Sequence, residues 1–168
     1  PKEVSEKHDK NLKRTNGIRS NSIIEVCENS YEKSVDGVFF CGYPVFREIY
    51  RLEARKITRL GEAEYVVLFT LNNGMQSDDL SDLDKFRMDK GMRLLENIFR
   101  VSLRVGDVVS RYSDYQCIIL LATCSFESTK MIVNRIIKKF NAQNTNACLN
   151  VKYSIEEVSK ENHEKIHA

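Results

Sequence analysis

The chain has 168 residues, of which 42% are hydrophobic and 30% charged, and its formal net charge is +2. That length and apolar content suffice for one compact domain with an appendage. The near balance of basic and acidic residues argues against a nucleic-acid-binding surface. No stretch of the sequence reaches the roughly 18 apolar residues of a membrane span, and no signal-peptide pattern opens it. We therefore expect a cytoplasmic protein whose present segment contacts neither nucleic acid nor membrane.

The two ends of the chain are polar. Residues 1–21 contain almost no large apolar side chains, which predicts a linker, and a short amphipathic helix follows it. The predicted organisation is a linker and short helix over 1–35, one domain over 36–158 and a charged tail over 159–168. Because the first residue is Pro1, we expect the segment to come from a larger protein.

Hydrophobic periodicity predicts alternating helices and strands. A helix is predicted over Pro44–Gly61 and a buried strand over Tyr65–Leu71. A second helix is predicted over Phe86–Leu103, and Ser125 is the expected N-cap of a third. Alternating residues over Leu149–Ile155 predict a strand with one wet face. This order predicts an α+β domain with helices packed on a mostly antiparallel sheet.

A β-hairpin is predicted between the second and third helices. Val108, Val109 and the run Tyr115–Leu121 are rich in β-branched and aromatic residues. The predicted two-residue connection between the strands is Ser113–Asp114. Such a turn displays its residues at the end of a sheet, where chemistry often takes place.

A pattern R-x-x-D-x-x-x-R-Y precedes this turn, and it resembles the core of GGDEF domains, the fold of diguanylate cyclases. Its residues here are Arg104, Asp107, Arg111 and Tyr112. The five-residue signature that gives the family its name is replaced by Ser113, Asp114, Tyr115, Gln116 and Cys117. The resemblance covers about Val45–Ile155. It implies a degenerate GGDEF-like domain with a nucleotidyl-cyclase-type antiparallel sheet, preceded by the N-terminal linker and helix.

A narrower resemblance involves GVFFCGYPVFREIYRLEARKITRLGEA and SLRVGDVVSRYS. These stretches look like the C-terminal module of clostridial transcriptional regulators that carry a bacterial transcriptional activator domain. In that group a winged-helix DNA-binding unit and a helical-repeat domain come before a degenerate GGDEF-like module. The resemblance implies a role in transcription regulation and signal transduction, with other domains of the same regulator as partners. It leaves a homodimer open.

Active cyclases hold two Mg²⁺ ions through carboxylates at the end of the first core strand and in the signature. The matching positions here are Thr70, or Asn72 in a shifted register, and Gln116. None of these side chains is anionic, so we expect no catalytic residue, no metal site, no cofactor and no cyclase activity. Asp89 matches the Asp that contacts guanine in the family. The alternative is a carboxylate that stabilises a helix N-terminus.

In the family, an R-x-x-D motif five residues before the signature binds the product, cyclic di-GMP. Arg104 and Asp107 keep this motif, and Arg111 is a candidate second contact. The alternative is an Arg–Asp pair that ties a helix end to a strand start. The sequence therefore leaves open a cyclic di-GMP sensor and a ligand-free dimerisation or protein-interaction scaffold, and an active cyclase is the least favoured reading.

Other residues with chemical potential receive structural interpretations. Five scattered cysteines without a C-x-x-C pair predict buried free thiols in a reducing compartment. An acidic cluster between the first core strand and the second helix predicts solvation and capping rather than metal binding. Its members are Asp78, Asp79, Asp82 and Asp84. The three histidines lie in the tails, so no His can be paired with a nucleophile.

Overall fold

The computed structural model describes residues 37–74 and 80–159. The predicted linker and first helix lie outside these residues, as does the tail beyond Ser159. Three helices and five strands follow one another in the described part. They are β1 (Phe39–Cys41), α1 (Tyr43–Leu60), β2 (Tyr65–Asn72), α2 (Asp82–Ser102), β3 (Val108–Ser113), β4 (Gln116–Leu121), α3 (Phe126–Gln143) and β5 (Asn150–Glu157).

The five strands form one sheet in the order β1-β3-β4-β2-β5. β1 runs parallel to β3, and the other three neighbouring pairs are antiparallel. The mostly antiparallel sheet and its helices confirm the predicted α+β fold class. The short edge strand β1 was not predicted, because three residues between Gly37 and Gly42 are too few to show a period. Arg100 of α2 covers this strand, with its guanidinium carbon 4.1 Å from the ring centre of Phe40.

Local sequence sets the helix ends. Pro44 lies in the first turn of α1, and Gly61 ends the helix in the left-handed conformation with φ 71°, donating its N–H to Ile57. α2 begins one turn before the predicted Phe86. The reason is Ser81, whose hydroxyl accepts the Asp84 N–H and so caps the helix. α3 begins after Ser125, as predicted, since that hydroxyl accepts the Ser128 N–H.

Both faces of the sheet are covered, because successive strand residues point to opposite sides. α2 and α3 pack on one face. That core contains the fully buried Phe69, Phe99, Ile119, Ile136 and Phe140. α1 packs on the other face, where the core contains Phe46, Tyr50, Val66, Ile118 and Leu120. The hairpin strand β4 contributes to both cores and is the most deeply buried strand.

α2 approaches the sheet closely at Gly91. A β-carbon at this position would lie 2.9 Å from a terminal carbon of Leu71 and 2.9 Å from one of Leu149. Both leucines are almost fully buried. The absence of a side chain at Gly91 therefore sets the spacing between this helix and the sheet.

The predicted hairpin is present, but its turn lies one residue further on. A β-bulge between Arg111 and Ser113 brings Ser113 opposite Gln116, so that Asp114 and Tyr115 form the turn. The inserted residue is Tyr112, whose ring packs edge-on against Tyr43 at 5.0 Å. Bulges cannot be recognised from hydrophobic alternation alone, which explains the shift.

The cysteines are free thiols within the described residues, and they differ in burial. Cys117 is 1% exposed in the core, as predicted, and burial raises the pKa of its thiol to about 12. Cys41 and Cys124 are half-buried. The prediction was wrong for Cys148, which is exposed because it lies in the turn before β5. Cys27 lies outside the described residues.

Among residues 37–74 and 80–159, no helix combines the length and apolar character that crossing a membrane requires.

Candidate functional site

The turn end of the hairpin contains the positions that the sequence analysis matched to a catalytic signature. Thr70 of β2 lies directly opposite Gln116 of β4 in the antiparallel register. Their side chains are joined, since Gln116 Nε2 donates to Thr70 Oγ1 at 3.1 Å. Ser113 Oγ donates in turn to Gln116 Oε1 at 3.0 Å. Three neutral side chains thus form one hydrogen-bonded chain where two strands end.

Asn72, the alternative strand-end candidate, lies elsewhere. It pairs with Asn150 of β5 rather than with the hairpin, and its Oδ1 accepts the Gly74 N–H at 2.6 Å. The amide side chain therefore closes the turn that follows β2. Thr70 is the residue that the fold brings to the signature position Gln116.

Arg111 braces the turn end from the side. Its guanidinium donates to the backbone oxygens of Ser113 at 3.3 Å and Asp114 at 2.6 Å. It also forms an ion pair with Glu96 of α2, with 2.8 Å between Nη1 and Oε1. These contacts fix the hairpin turn to α2. They occupy three of the five donors that a ligand could use.

Tyr115 occupies the space between the turn and α2. Its ring packs against the core, and its backbone oxygen accepts the Leu71 N–H at 2.9 Å. Burial raises the pKa of the Tyr115 hydroxyl, and the negative charges of Asp89 and Asp114 raise it further. Asp89, an exposed residue of α2, is thus close to Tyr115. The fold brings these two predicted site residues together.

The opposite, open end of the hairpin contains Arg104 and Asp107. Asp107 is 1% exposed, and its Oδ2 accepts the backbone N–H of Arg104 at 3.0 Å. The Arg104 guanidinium donates to the backbone oxygens of Ala122 at 2.6 Å and Thr123 at 3.2 Å. The distance from its Nε to Asp107 Oδ1 is 3.7 Å. The pair ties the end of α2 to both hairpin strands, which is the structural role that the sequence left open.

Burial dominates the electrostatics of Asp107. It raises the pKa of the carboxyl above its ordinary value, against the opposing effects of the Arg104 N–H and guanidinium. The Arg104 side chain is 61% exposed, whereas that of Asp107 is 2% exposed. A ligand could reach the guanidinium but not the carboxylate in this conformation.

The structure does not bring Arg104 and Arg111 together. Arg104 contacts the strand end after Leu121, whereas Arg111 contacts the turn beside Gln116. Asp107 and Arg111 are four residues apart along one extended segment, which corresponds to about 13 Å at roughly 3.3 Å per residue. The predicted three-residue ligand site is therefore split between two ends of the hairpin.

Glu64, which the sequence analysis did not select, is a second buried carboxyl at the open end. It precedes β2 and is 1% exposed, with one oxygen 3.8 Å from Lys56 Nζ on α1. Burial and the neighbouring Glu53 raise the pKa of Glu64 to about 7, against the effect of Lys56. Because Glu64 stands in a charged stretch beside Glu62, its sequence context gave no sign of burial.

Metal-ligand chemistry has little support in the described ranges 37–74 and 80–159. No three His, Cys, Asp or Glu side chains there are close enough to share a metal ion. Of the acidic cluster, Asp82 lies in the first turn of α2, and Asp84 accepts hydrogen bonds from Ser81 and Arg87. Asp84 thus takes part in the cap of α2, and Asp82 is exposed to solvent, which agrees with the predicted capping and solvation roles. Asp78 and Asp79 fall in the gap between the two described ranges.

The architecture has the GGDEF, or diguanylate cyclase, fold, because solved structures of such proteins superimpose on it. A DGC protein from Thermotoga maritima superimposes with a TM-score of 0.58 at 13% identity, over 80% of this chain and 92% of that one. The diguanylate cyclase SiaD from Pseudomonas aeruginosa, solved in complex with its activator SiaC, gives 0.62 at 14% identity, over 98% and 68%.

A third similar structure is the GGDEF domain of YfiN (TpbB) from Pseudomonas aeruginosa. Its TM-score is 0.57 at 16% identity, over 70% of this chain and 75% of that one. At such identities the likeness shows a shared fold. No protein-family model matches the sequence, and a comparison with curated proteins gives no match.

Proposed function

We propose that this domain is a non-catalytic GGDEF-like module that regulates a cytoplasmic transcription regulator, of which it is one part. The observation that carries the proposal is the neutral chain Ser113–Gln116–Thr70 at the turn end. Each of the two positions matched to metal ligands holds a side chain without charge, and the two are hydrogen-bonded to each other.

The Mg²⁺ ions that this fold implies do not fit these residues. A hard divalent cation is held by carboxylate oxygens, and the amide and hydroxyl here compete poorly with water. Gln116 also uses its amide nitrogen, a donor that would face the cation unfavourably, to contact Thr70. The two positions matched to metal ligands, Thr70 and Gln116, therefore offer no negative charge to a metal–triphosphate complex.

Nucleotide binding meets a second obstacle at the same end. Ser113 and Asp114 carry side chains where the family has glycines, which permit close approach of a phosphate to the backbone. The ring of Tyr115 lies near Asp89, the one position that still matches a guanine contact. The half-buried ring of Tyr115 therefore adds bulk beside that position.

The regulatory part of the proposal concerns partners. The resemblance to regulators with a bacterial transcriptional activator domain suggests other domains of the same protein as the first partners. A structurally similar protein has a protein partner, because SiaD was solved in complex with its activator SiaC. Contact surfaces rather than a reaction would then transmit the signal.

The cyclic di-GMP hypothesis has weaker geometric support. It requires a carboxylate that accepts from guanine N–H groups, but Asp107 is buried and accepts the Arg104 N–H. It also requires guanidinium N–H groups that are available to a ligand, whereas the Arg104 guanidinium donates to two backbone oxygens. The contacts favour the interaction scaffold over the sensor.

The test compares the wild type with a Thr70→Asp/Gln116→Glu variant. We expect no product from the wild type with GTP and either Mg²⁺ or Mn²⁺, and no calorimetric heat from Mn²⁺ alone. The double variant restores two facing carboxylates, so Mn²⁺ binding should become measurable. Product formation by the wild type above a no-enzyme control refutes the non-catalytic assignment. Titration of the wild type with cyclic di-GMP, using Arg104→Ala as control, decides between sensor and scaffold.

A further inference from the structure

β5 forms one edge of the sheet. Its inner neighbour is β2, with which it pairs over all eight of its residues. In the described part of the chain, no strand lies on its other side. A strand in this position presents a row of backbone donors and acceptors that another strand can use. An eight-residue edge is long, because strands in globular proteins average five to six residues.

The side chains of β5 are arranged with alternating character. Lys152, Ser154 and Glu156 are all exposed and point to the face covered by α1, where Ser154 and Glu156 line a cleft of about 290 Å³. Tyr153 and Ile155 point to the other face. There Ile155 packs against the core, while Tyr153 remains 42% exposed.

We infer that β5 is a self-association edge, and that two copies of the chain join through it in antiparallel orientation about a two-fold axis at Ser154. In that register, residues whose numbers sum to 308 stand opposite each other. Lys152 of each copy then faces Glu156 of the other, so the contact contains two opposite-charge pairs. On the other face, Tyr153 of each copy lies against Ile155 of the other, and the sheet continues through ten strands.

The charges select this register over its neighbours. Antiparallel strands can shift only in steps that keep outward-facing backbone groups opposite one another. A pairing centred on Tyr153 places Glu156 against Asn150, and one centred on Ile155 places Lys152 against Val158. Only the pairing centred on Ser154 matches both charges. An edge strand that stays unpaired does not require opposite charges at equal distances from a central residue.

Charged residues on an edge strand usually prevent association. They do so when like charges meet or when a charge is buried without a partner. Here Lys152 and Glu156, the two charges on one face of β5, lie four residues apart with Ser154 midway, so a two-fold operation brings each opposite the other. The same side chains that repel other strands are complementary to a second copy of this one. This inference is independent of whether the domain turns over GTP.

Charge reversal tests the pairing on the full 168-residue chain. Sedimentation over increasing concentration should show the wild type passing from 19.5 kDa to twice that mass. Lys152→Glu alone places acids opposite each other, and Glu156→Lys alone places lysines opposite each other. Each single variant should raise the dimer dissociation constant about tenfold or more, since attraction becomes repulsion at both pairs. Lys138→Glu, on the exposed side of α3, is the matched control and should behave as the wild type.

Mixing the two single variants gives the decisive result. One variant then carries acids at positions 152 and 156 and the other carries lysines at both, so a heterodimer regains both charge pairs. Restored dimer in the mixture supports the inference. A wild type that stays monomeric, single variants that dimerise as well as the wild type, or a mixture that stays dissociated each overturn it.

The register is tested separately by a cross-link. Opposite residues of an antiparallel pair have α-carbons about 4.5–5.5 Å apart, which suits a disulfide. In a Cys148→Ser background, Ser154→Cys should therefore oxidise to a covalent dimer. Asn134→Cys, exposed on α3 and outside the proposed contact, should form no covalent dimer under the same conditions. Equal cross-linking of the Ser154→Cys and Asn134→Cys variants would show that the covalent dimer forms by random collision, which contradicts the proposed register.

Discussion

The two ends of the β3–β4 hairpin have opposite chemistry. At the turn end, where the fold family places metal-binding carboxylates, Ser113, Gln116 and Thr70 form a neutral chain. At the open end, where Arg104 and Asp107 keep the R-x-x-D motif, Asp107 and Glu64 are carboxyls buried to 1% exposure. The end that still matches the family motif is thus the end where the matching residues hold the strands together. In this structure the side chains of the retained motif make structural contacts with the hairpin.

The largest expected effect on stability concerns Glu64, a buried carboxyl at the open end of the hairpin. Its folded-state pKa of about 7 lies above the ordinary 4.5, so the folded chain binds the proton more tightly than the unfolded chain. The contribution of Glu64 to the free energy of unfolding is therefore greatest below pH 4.5, and it is lost as the pH rises through 7. The difference between the two pKa values corresponds to a loss of about 3 kcal/mol in the free energy of unfolding above pH 8. Lys56 and Glu53 face the carboxyl from α1.

Glu64→Gln should remove this dependence and raise the free energy of unfolding at pH 8 while changing it little at pH 5. Urea unfolding at the two pH values measures the effect. Glu62→Gln, an exposed neighbour, is the matched control and should follow the wild type at both. Parallel pH profiles of wild type and Glu64→Gln would show that Glu64 is ionised in the folded state without cost.

A smaller loss is expected for Asp107→Ala. The substitution leaves the N–H of Arg104 without its part-buried acceptor and loosens the end of α2 from the hairpin. We expect a loss of about 2 kcal/mol in the free energy of unfolding, typical of a broken buried hydrogen bond to a charged group. Asp114→Ala in the exposed turn should change stability by less than about 0.5 kcal/mol. Equal effects of the two substitutions in urea unfolding would remove the distinction between the ends.

The smallest effect is expected for Arg111→Ala at the turn end. Its ion pair with Glu96 joins side chains that are 41% and 28% exposed, so solvent screens it strongly. We expect a loss of less than about 1 kcal/mol, which falls further in high salt. Hydrogen exchange should show faster opening at Ser113–Gln116 with little change near Val108. A large global destabilisation would mean that the turn, and not the open end, secures the hairpin.

Most of the fold could be predicted from the sequence, because its long elements carry strong local signals. The apolar stripe of α1, with Pro44 and Gly61 at its ends, predicts that helix almost to the residue. β1 and the bulge at Tyr112 could not be predicted, since each depends on a partner strand distant in sequence. The N-cap at Ser81 is a local signal, but the polar residues around it favour a loop, so the start of α2 is predicted one turn too late.

The candidate site was less predictable than the fold. The neutrality of Thr70 and Gln116 is visible in the sequence, but their mutual hydrogen bond requires the β2–β4 register. The burial of Asp107 depends on how deeply the α2–β3 connection lies against the strand after Leu121. The sequence around Glu64 does not indicate that its carboxyl is buried. Sequence indicates which chemical groups are present, whereas burial decides what those groups do.

Gly91 has a consequence for how this sequence can change over time. A helix-interior glycine costs about 1 kcal/mol relative to alanine, so neutral drift should readily replace it. Here a new methyl group would meet the ends of Leu71 and Leu149 at 2.9 Å. Substitutions at positions 71, 91 and 149, which lie far apart in the chain, should therefore depend on one another. Descendants of this sequence that gain a side chain at position 91 should have lost carbon atoms at position 71 or 149.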